Sequence, residues 1–183
     1  MKRSLTALCL VLGLSGCAGR PPMAYLVLSP ASGPVYAVSG TDVAVGRVSM
    51  PPAIDRSFLT TGRGENTLDI NYNAQWAAPL EPMAQITLAR DLAARLPGHT
   101  VLMPGDNVPD DALIISVNII TFLPYADHVV LAADWRASGG KNQPVGGRVN
   151  SLVSSGPTAQ DQAQALSQAL GQLADKIAEK ISG

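Results

Sequence analysis

The sequence is poor in the residues on which disulfide-rich, metal-binding and membrane-spanning proteins depend. It contains two cysteines, two histidines and 4% aromatic residues. No apolar run reaches the roughly 20 residues that a transmembrane helix requires. Basic residues are scattered and form no positive face that could offset nucleic-acid phosphates, which argues against nucleic-acid binding. An apolar fraction of 46% with 15% charged residues excludes wholesale disorder.

The N-terminus has the layout of a bacterial lipoprotein signal peptide. Lys2 and Arg3 precede an apolar run at residues 5–14, which is too short to cross the roughly 30 Å core of a bilayer as a helix. The run ends in Leu-Ser-Gly-Cys at residues 14–17, a pattern that resembles the lipobox. The alternative is an ordinary secretory signal with an incidental cysteine, but the small residues beside the cysteine favour the lipobox.

Cys17 is therefore the predicted site of lipid attachment. Its thiol can carry a thioether-linked diacylglyceryl group, and cleavage after residues 1–16 frees its amine for a further acyl chain. Two or three chains anchor a protein stably, whereas one binds only marginally. Ala18 stands where an Asp favours inner-membrane retention in enterobacterial sorting. We accordingly expect the periplasmic face of the outer membrane, and no cofactor other than the covalent lipid.

The mature chain must fold without a disulfide. Cys9 leaves with the signal peptide and Cys17 carries lipid, so no thiol pair remains. About 160 residues are enough for an independent core. Loss of the two N-terminal cations changes the net charge from −1 to about −3.

Beyond a tether at residues 17–24, the pattern predicts a single domain at residues 25–183. Its elements run strand, strand, strand, strand, helix, strand, strand, strand, strand, helix. This order indicates an α+β fold, a largely antiparallel mixed sheet with two helices packed on one face as a two-layer sandwich. The predicted strands lie at residues 25–28, 42–48, 58–61, 67–72, 101–103, 112–123, 128–137 and 145–153, and the predicted helices at 79–96 and from 158 onward.

Four segments carry more specific predictions. Residues 112–123 are apolar on both faces, which indicates a central strand. Residues 128–137 alternate and predict one packed face and one wetter face. Glycines at residues 146–147 predict a bulge or weak pairing. The last helix opens with Thr158 as N-cap and Asp161 three residues on, a variant of the capping box.

Sequence signatures of catalysis are missing. There is no G-x-S-x-G elbow, H-E-x-x-H motif or Walker loop. His99 and His128 are isolated, as surface histidines usually are. The acidic loop at residues 106–111 lacks the Gly and distant Glu of an EF-hand, and a solvated turn is the better interpretation. We expect neither an enzyme nor a metal site.

Two residues are candidates for partner binding. Trp76 lies just before the first helix and either anchors the start of that helix to the sheet, which is favoured, or meets a partner. Arg56 either pairs with Asp55 or Asp69 on a hairpin surface or faces a partner. Neither residue forms a reactive site.

Several segments recur in a fixed order along the chain: the stretch that ends in Met50-Pro51, the Asp55-Arg56 pair, and the run from Trp76 to Leu80. In this order and spacing the chain resembles the PqiC-like family of ABC-transport auxiliary lipoproteins. In that family a strand ends in Leu-Pro, an Asp-Arg pair opens the next strand, and a Trp-x-x-Pro-Leu run leads into a helix. Met50 stands where Leu is usual, Pro52-Ala53 replaces a more polar pair, and residues 138–147 match less well. The resemblance rests on residues 45–51, 54–56, 59–61 and 76–80, on the Tyr25 strand, on Leu131 and Trp135, and on the C-terminal helix.

The resemblance implies an accessory role at the outer membrane. Such lipoproteins work with MCE-domain proteins, which extend from an inner-membrane permease or ABC transporter and carry lipids or other hydrophobic molecules. A docking subunit is the first hypothesis. A lipid carrier with its own apolar pocket, an assembly factor of another envelope machine and an envelope enzyme are the alternatives. The sequence leaves the cargo, the oligomeric state (including a homo-oligomer) and the partner-binding face open.

Overall fold

The computed structural model describes residues 22–140 and 143–183, so the predicted signal peptide and Cys17 lie outside the described residues. The predicted order of strands and helices is confirmed. The strands are β1 (Ala24–Leu26), β2 (Val43–Ser49), β3 (Phe58–Gly64), β4 (Thr67–Trp76), β5 (Val101–Leu102), β6 (Leu113–Pro124), β7 (His128–Ser138) and β8 (Val145–Ser154), and the helices are α1 (Leu80–Arg95) and α2 (Ala159–Ser182).

The α+β class is confirmed, and the strands divide between two mixed sheets. Five strands pair in the order β5-β2-β6-β7-β8, and three pair in the order β1-β4-β3. Strand β2 runs parallel to both β5 and β6, while β6, β7 and β8 are antiparallel. Parallel neighbours need a crossover connection, and α1 lies in the chain segment that links β2 to β5 and β6. The single sheet expected from the strand count is thus split.

Both helices pack on one face of the five-stranded sheet. Helix α1 lies against β2 and β5, and α2 lies against β6, β7 and β8 as well as α1. The predicted apolar face of β7 is confirmed, since its side chains are buried beneath α2. The apolar residues of α2 that recur every three or four positions from Ala163 to Ile177 are buried as well. The buried β7 residues are Val129, Leu131, Ala133, Trp135 and Ala137.

The capping box predicted at the start of α2 is present. The Thr158 hydroxyl accepts a hydrogen bond from the Asp161 amide at 3.1 Å, and the Asp161 carboxylate accepts one from the Thr158 amide at 3.1 Å. The Thr158 hydroxyl also donates to the Asp161 carboxylate at 2.6 Å. The bonds from the hydroxyl and the amide of Thr158 lower the pKa of Asp161, because they favour its charged form.

Strand β6 is central, as predicted, but it is not apolar on two buried faces. It lies between β2 and β7, and its residues from Leu113 to Ile120 alternate strictly between buried and exposed. Ile114 and Ile120 are each 41% exposed. The prediction was wrong because the helices cover only one face of this sheet, so that apolar side chains on the other face meet water.

The bulge predicted at Gly146 and Gly147 is absent. Strands β7 and β8 pair without a register shift, with Trp135 opposite Gly147 and Arg136 opposite Gly146. A Cβ at position 146 would lie 2.6 Å from the Trp135 carbonyl oxygen. Glycine is needed there for close backbone approach rather than for a bulge.

Candidate functional site

The two predicted partner-binding residues have different surroundings. Arg56 is exposed, and its Nε donates to the Ala53 carbonyl at 3.1 Å within the turn before β3. Trp76 is only 4% exposed and lies in the main apolar core. Its backbone amide donates to the Ser57 carbonyl at 2.8 Å. A partner would reach the Trp76 ring only if the packing of this core changed. A partner-binding role for either residue stays a prediction.

A buried ionic cluster joins the two helices. Arg95 of α1 is 1% exposed, and its Nε donates to the Asp175 carboxylate of α2. Its Nη1 lies 3.3 Å from Asp91 Oδ1, one helical turn earlier. Nη2 donates to the Gly171 carbonyl at 3.1 Å. The guanidinium therefore uses its planar donors to bridge α1 and α2.

The same cluster holds the segment that connects β1 to β2. The Ala31 amide donates to Asp91 Oδ1 at 2.8 Å, and Arg95 Nη1 donates to the Ala31 carbonyl at 3.2 Å. The Tyr36 amide donates to the Arg95 carbonyl at 2.7 Å. Gly33 packs so closely on Arg95 that a Cβ there would collide with the guanidinium. The segment between β1 and β2 has no regular secondary structure, and the Asp91 and Arg95 side chains hold it in place of the inter-strand hydrogen bonds of a sheet.

Burial perturbs the protonation of Asp91. Desolvation raises the pKa of this carboxyl to about 6, against the lowering effect of its hydrogen bond from Ala31 and of the Arg95 charge. Its second oxygen is buried and has no hydrogen-bond partner among the described residues. Two carboxylates share one guanidinium, so protonation of Asp91 neutralises the excess negative charge of the cluster.

Sequence reasoning missed this cluster, although α1 carries a sign of it. Leu88, Asp91, Leu92 and Arg95 follow the spacing of a single helix face. Two opposite charges within an apolar stripe are unusual unless they pair. Asp175 gives no such sign, because its contact with Arg95 spans 80 residues.

Beside this cluster, an open groove of about 830 Å³ runs between the β1 segment and α2. One wall carries Tyr25, Val27 and Pro30, and the other carries Gln164, Gln168 and Gln172. The glutamines are four residues apart and share one helix face. Their amides both donate and accept hydrogen bonds, so the groove is polar on its helix side.

The ionisable side chains considered in the sequence form no metal-binding group in the part of the chain that the structure describes. Residues 22–140 and 143–183 hold no cluster of three or more His, Cys, Asp or Glu positioned for a metal ion. His128 Nδ1 lies 2.6 Å from Asp127 and its ring stacks on Tyr125, at the exposed turn between β6 and β7. The hydrogen bond from His128 lowers the pKa of Asp127. In the loop after β5, Asp106 accepts from the Met103 amide at 2.8 Å and closes a turn.

Comparison with known protein families decides the identity. Residues 25–178 match the model of the ABC-type transport auxiliary lipoprotein component family. The chain belongs to this family. The matched range includes both sheets, α1 and most of α2. The family assignment of the auxiliary lipoprotein therefore covers nearly all of the residues that the structure describes. The resemblance to auxiliary lipoproteins drawn from the sequence is confirmed.

Two crystal structures share this fold. One, of an uncharacterised protein, superposes with a TM-score of 0.73 at 19% identity and covers 88% of this chain and 99% of that chain. The other is a Xanthomonas campestris protein assigned to DUF330, with a TM-score of 0.60 at 14% identity, covering 85% of this chain and 90% of that one. These likenesses show the fold alone. A search of the curated proteins finds no match.

The family assigns the auxiliary lipoprotein to an ABC-type transport system as an accessory component. None of the described helices is long and apolar enough to cross a membrane.

Proposed function

We propose that the auxiliary lipoprotein is anchored by Cys17 to the periplasmic face of the outer membrane. There it docks the MCE-domain protein of an ABC-linked system that moves lipids between the two membranes and thereby supports envelope integrity. Its contribution is placement and recognition, with no chemistry of its own. Membership of the transport auxiliary family is the observation that carries this proposal.

Chain length supports a role close to the membrane. Residues 18–23 separate Cys17 from the start of β1 at Ala24. At about 3.3–3.6 Å per residue, even a fully extended tether keeps that strand within about 25 Å of the lipidated cysteine. Confinement to such a layer raises the effective concentration of the domain for any partner that reaches the same membrane.

Packing supports docking over the carrier hypothesis. The space between the helices and the five-stranded sheet is filled by Leu, Ile, Val and Ala side chains. The groove beside α2 is open and has glutamines along one wall. A carrier would need an enclosed apolar site for acyl chains. A lipid that co-purifies in a defined stoichiometry with the mature protein would favour the carrier instead.

The anchor is tested by separating lipidation from location. An Ala18→Asp variant keeps the predicted lipobox and is expected to direct the lipidated protein to the inner membrane. A second variant carries Cys17→Ser behind a conventional secretory signal and is expected to be free in the periplasm. Membrane fractionation, a detergent-sensitivity assay and co-purification with the MCE protein measure the outcome. Cys9→Ser, within the predicted signal peptide, is the matched control and should leave all three unchanged.

We expect both relocated proteins to fold normally and both to lose envelope function. Circular dichroism checks that the fold is retained. Full detergent resistance with the soluble variant would show that the anchor is dispensable. Failure of the wild-type protein to co-purify with an MCE protein would contradict the docking role itself.

A further inference from the structure

The face of the five-stranded sheet that the helices leave open carries large apolar side chains. Ile114 and Ile120 are each 41% exposed, and Leu152 on β8 is 71% exposed. We call this surface the open sheet face. Its strand residues are Arg47, Ser49, Ile114, Ser116, Asn118, Ile120, Asp134, Arg136, Arg148, Asn150 and Leu152.

Strand register collects positive charge at the centre of this face. Ser116 pairs with Arg136 on β7. On its other side, the β2 register shifts between Val45 and Val48, which sets Arg47 in the irregular segment beside Ser116. On the inner side, α1 holds this segment, because Gln85 Nε2 donates to the Val45 carbonyl at 2.9 Å. Two arginines therefore flank one serine in a row across three strands.

In the next row along the strands, the polar side chains already have hydrogen-bond partners within the face. Asp134 pairs with Arg148 through two hydrogen bonds of 2.6 and 2.7 Å, and Ser49 donates to Asn118 at 3.1 Å. The Arg148 bonds lower the pKa of Asp134, so its charge is committed to that pair. The single carboxylate among the strand residues of the open sheet face is thus not available to Arg47 and Arg136.

Within residues 22–140 and 143–183, neither Arg47 nor Arg136 forms an ion pair. Both line a shallow depression of about 330 Å³ together with Ser49, Ser116, Asn118 and Asp134, whose carboxylate is held by Arg148. Three arginines and one aspartate make the strand residues of this face positive, although the whole chain carries a net charge of −1. Uncompensated guanidinium groups beside hydroxyl and amide groups suit carboxylates.

We propose that the open sheet face is the surface that receives the transport partner, and that the partner presents carboxylates to Arg47 and Arg136 and apolar side chains to Ile114, Ile120 and Leu152. This inference rests on the proposed function and names the binding face within it. Positive charge opposite negative charge speeds association and fixes the register of a complex, while the apolar side chains beside the arginines would gain from being removed from water.

Other occupants fit the face less well. A second copy docked through the same face would bring like-charged arginines together, which is unfavourable. The membrane anchor enters through β1, which belongs to the other sheet. The observations therefore favour an acidic protein surface over both a copy of this chain and a lipid surface.

The test places a photo-crosslinking amino acid at Leu152 of the full-length lipoprotein in cells. A second strain carries it at Arg56, the competing surface predicted from the sequence. Each is repeated with the charge reversals Arg47→Glu and Arg136→Glu. The matched control reverses Arg90 and Lys180, which are exposed on α1 and α2 and change the net charge equally. Products are identified by mass spectrometry.

We expect the Leu152 crosslinker to capture the MCE protein of the transport system. The Arg47→Glu/Arg136→Glu pair should reduce that product at least about tenfold, which corresponds to about 1.4 kcal/mol of binding free energy, and the control pair should not. Capture of the MCE protein from Arg56 alone overturns this inference and leaves the proposed function standing. Products at Leu152 that contain only lipid or a second copy of the chain also overturn it. Absence of the MCE protein from both positions counts against the inference and the proposed function together.

Discussion

Arg95→Met is the most informative perturbation of the fold, because this side chain bridges α1, α2 and the segment between β1 and β2. The substitution removes donors to Asp175, Asp91, Ala31 and Gly171 while retaining an apolar stem of similar length. It also leaves the buried Asp91 carboxylate without a counter-ion. Breaking a buried pair from one side costs about 3–5 kcal/mol, and we expect a loss of this size in the free energy of unfolding at pH 7.

A second substitution separates the charge from the hydrogen bonds. If the uncompensated Asp91 charge causes much of the loss, Asp91→Asn added to Arg95→Met should recover about 1–2 kcal/mol, since the amide oxygen can still accept from Ala31 while the charge is gone. Acidification from pH 7 to pH 5 should also raise the stability of Arg95→Met by more than that of the wild type, because the lost Arg95 charge no longer holds the pKa of Asp91 down. An ordinary loss of packing would produce neither effect.

Urea denaturation of the purified proteins, followed by far-UV circular dichroism, measures these differences. Arg90→Met is the matched control, because Arg90 is on the same helix and exposed, and surface substitutions of this kind stay within about 0.5 kcal/mol. A loss below about 1 kcal/mol for Arg95→Met would refute the reasoning. So would a double variant no more stable than Arg95→Met at pH 7.

The remaining predictions address protonation, capping and backbone approach. The pKa of Asp91 is about 6 in the folded state and 3.8 in the unfolded state. Between these two pH values the unfolded state therefore binds fewer protons than the folded state. As pH rises from 4 to 6, this group lowers the free energy of unfolding by up to about 3 kcal/mol. Urea titrations across that range should show Asp91→Asn lacking this component, and identical slopes for both proteins would contradict it. Thr158→Ala should cost about 1 kcal/mol by removing the cap of α2, whereas Thr158→Ser should cost little; equal thermal midpoints for the two variants would argue against the cap. Gly146→Ala should cost about 1–3 kcal/mol, since its Cβ would approach the Trp135 carbonyl. Gly64→Ala, with nothing within 4 Å of the added Cβ, is its control, and equal losses would refute that account.

Predictions from the spacing of apolar residues were correct for elements that bury one face and leave the other polar. The spacing of apolar residues in α2 and the alternation in β7 identified the faces that pack together. They failed in β6, where Ile114 and Ile120 look like core residues and are exposed. A run that is apolar on both faces predicts burial only if both faces are covered. Whether a helix covers a face depends on topology.

The residues considered for partner binding also differ in whether the sequence alone could point to them. Arg56 is exposed and compatible with the sequence-based hypothesis, whereas Trp76 lies in the core, as the favoured structural interpretation held. Arg47 and Arg136 drew no attention in the sequence, because 89 residues separate them along the chain. The β6 strand that lies between β2 and β7 brings them together.

The sequence by itself determined the order of eight strands and two helices and the family pattern, and it alone carries the prediction of a lipobox. Each of these depends on residues near one another in the chain, read through composition, spacing and caps. Only the tertiary structure decided that Asp91, Arg95 and Asp175 share a buried cluster, that the strands form two sheets, and that one sheet face stays open. Those features arise from long-range pairing and from which surfaces the helices cover, which no local pattern encodes.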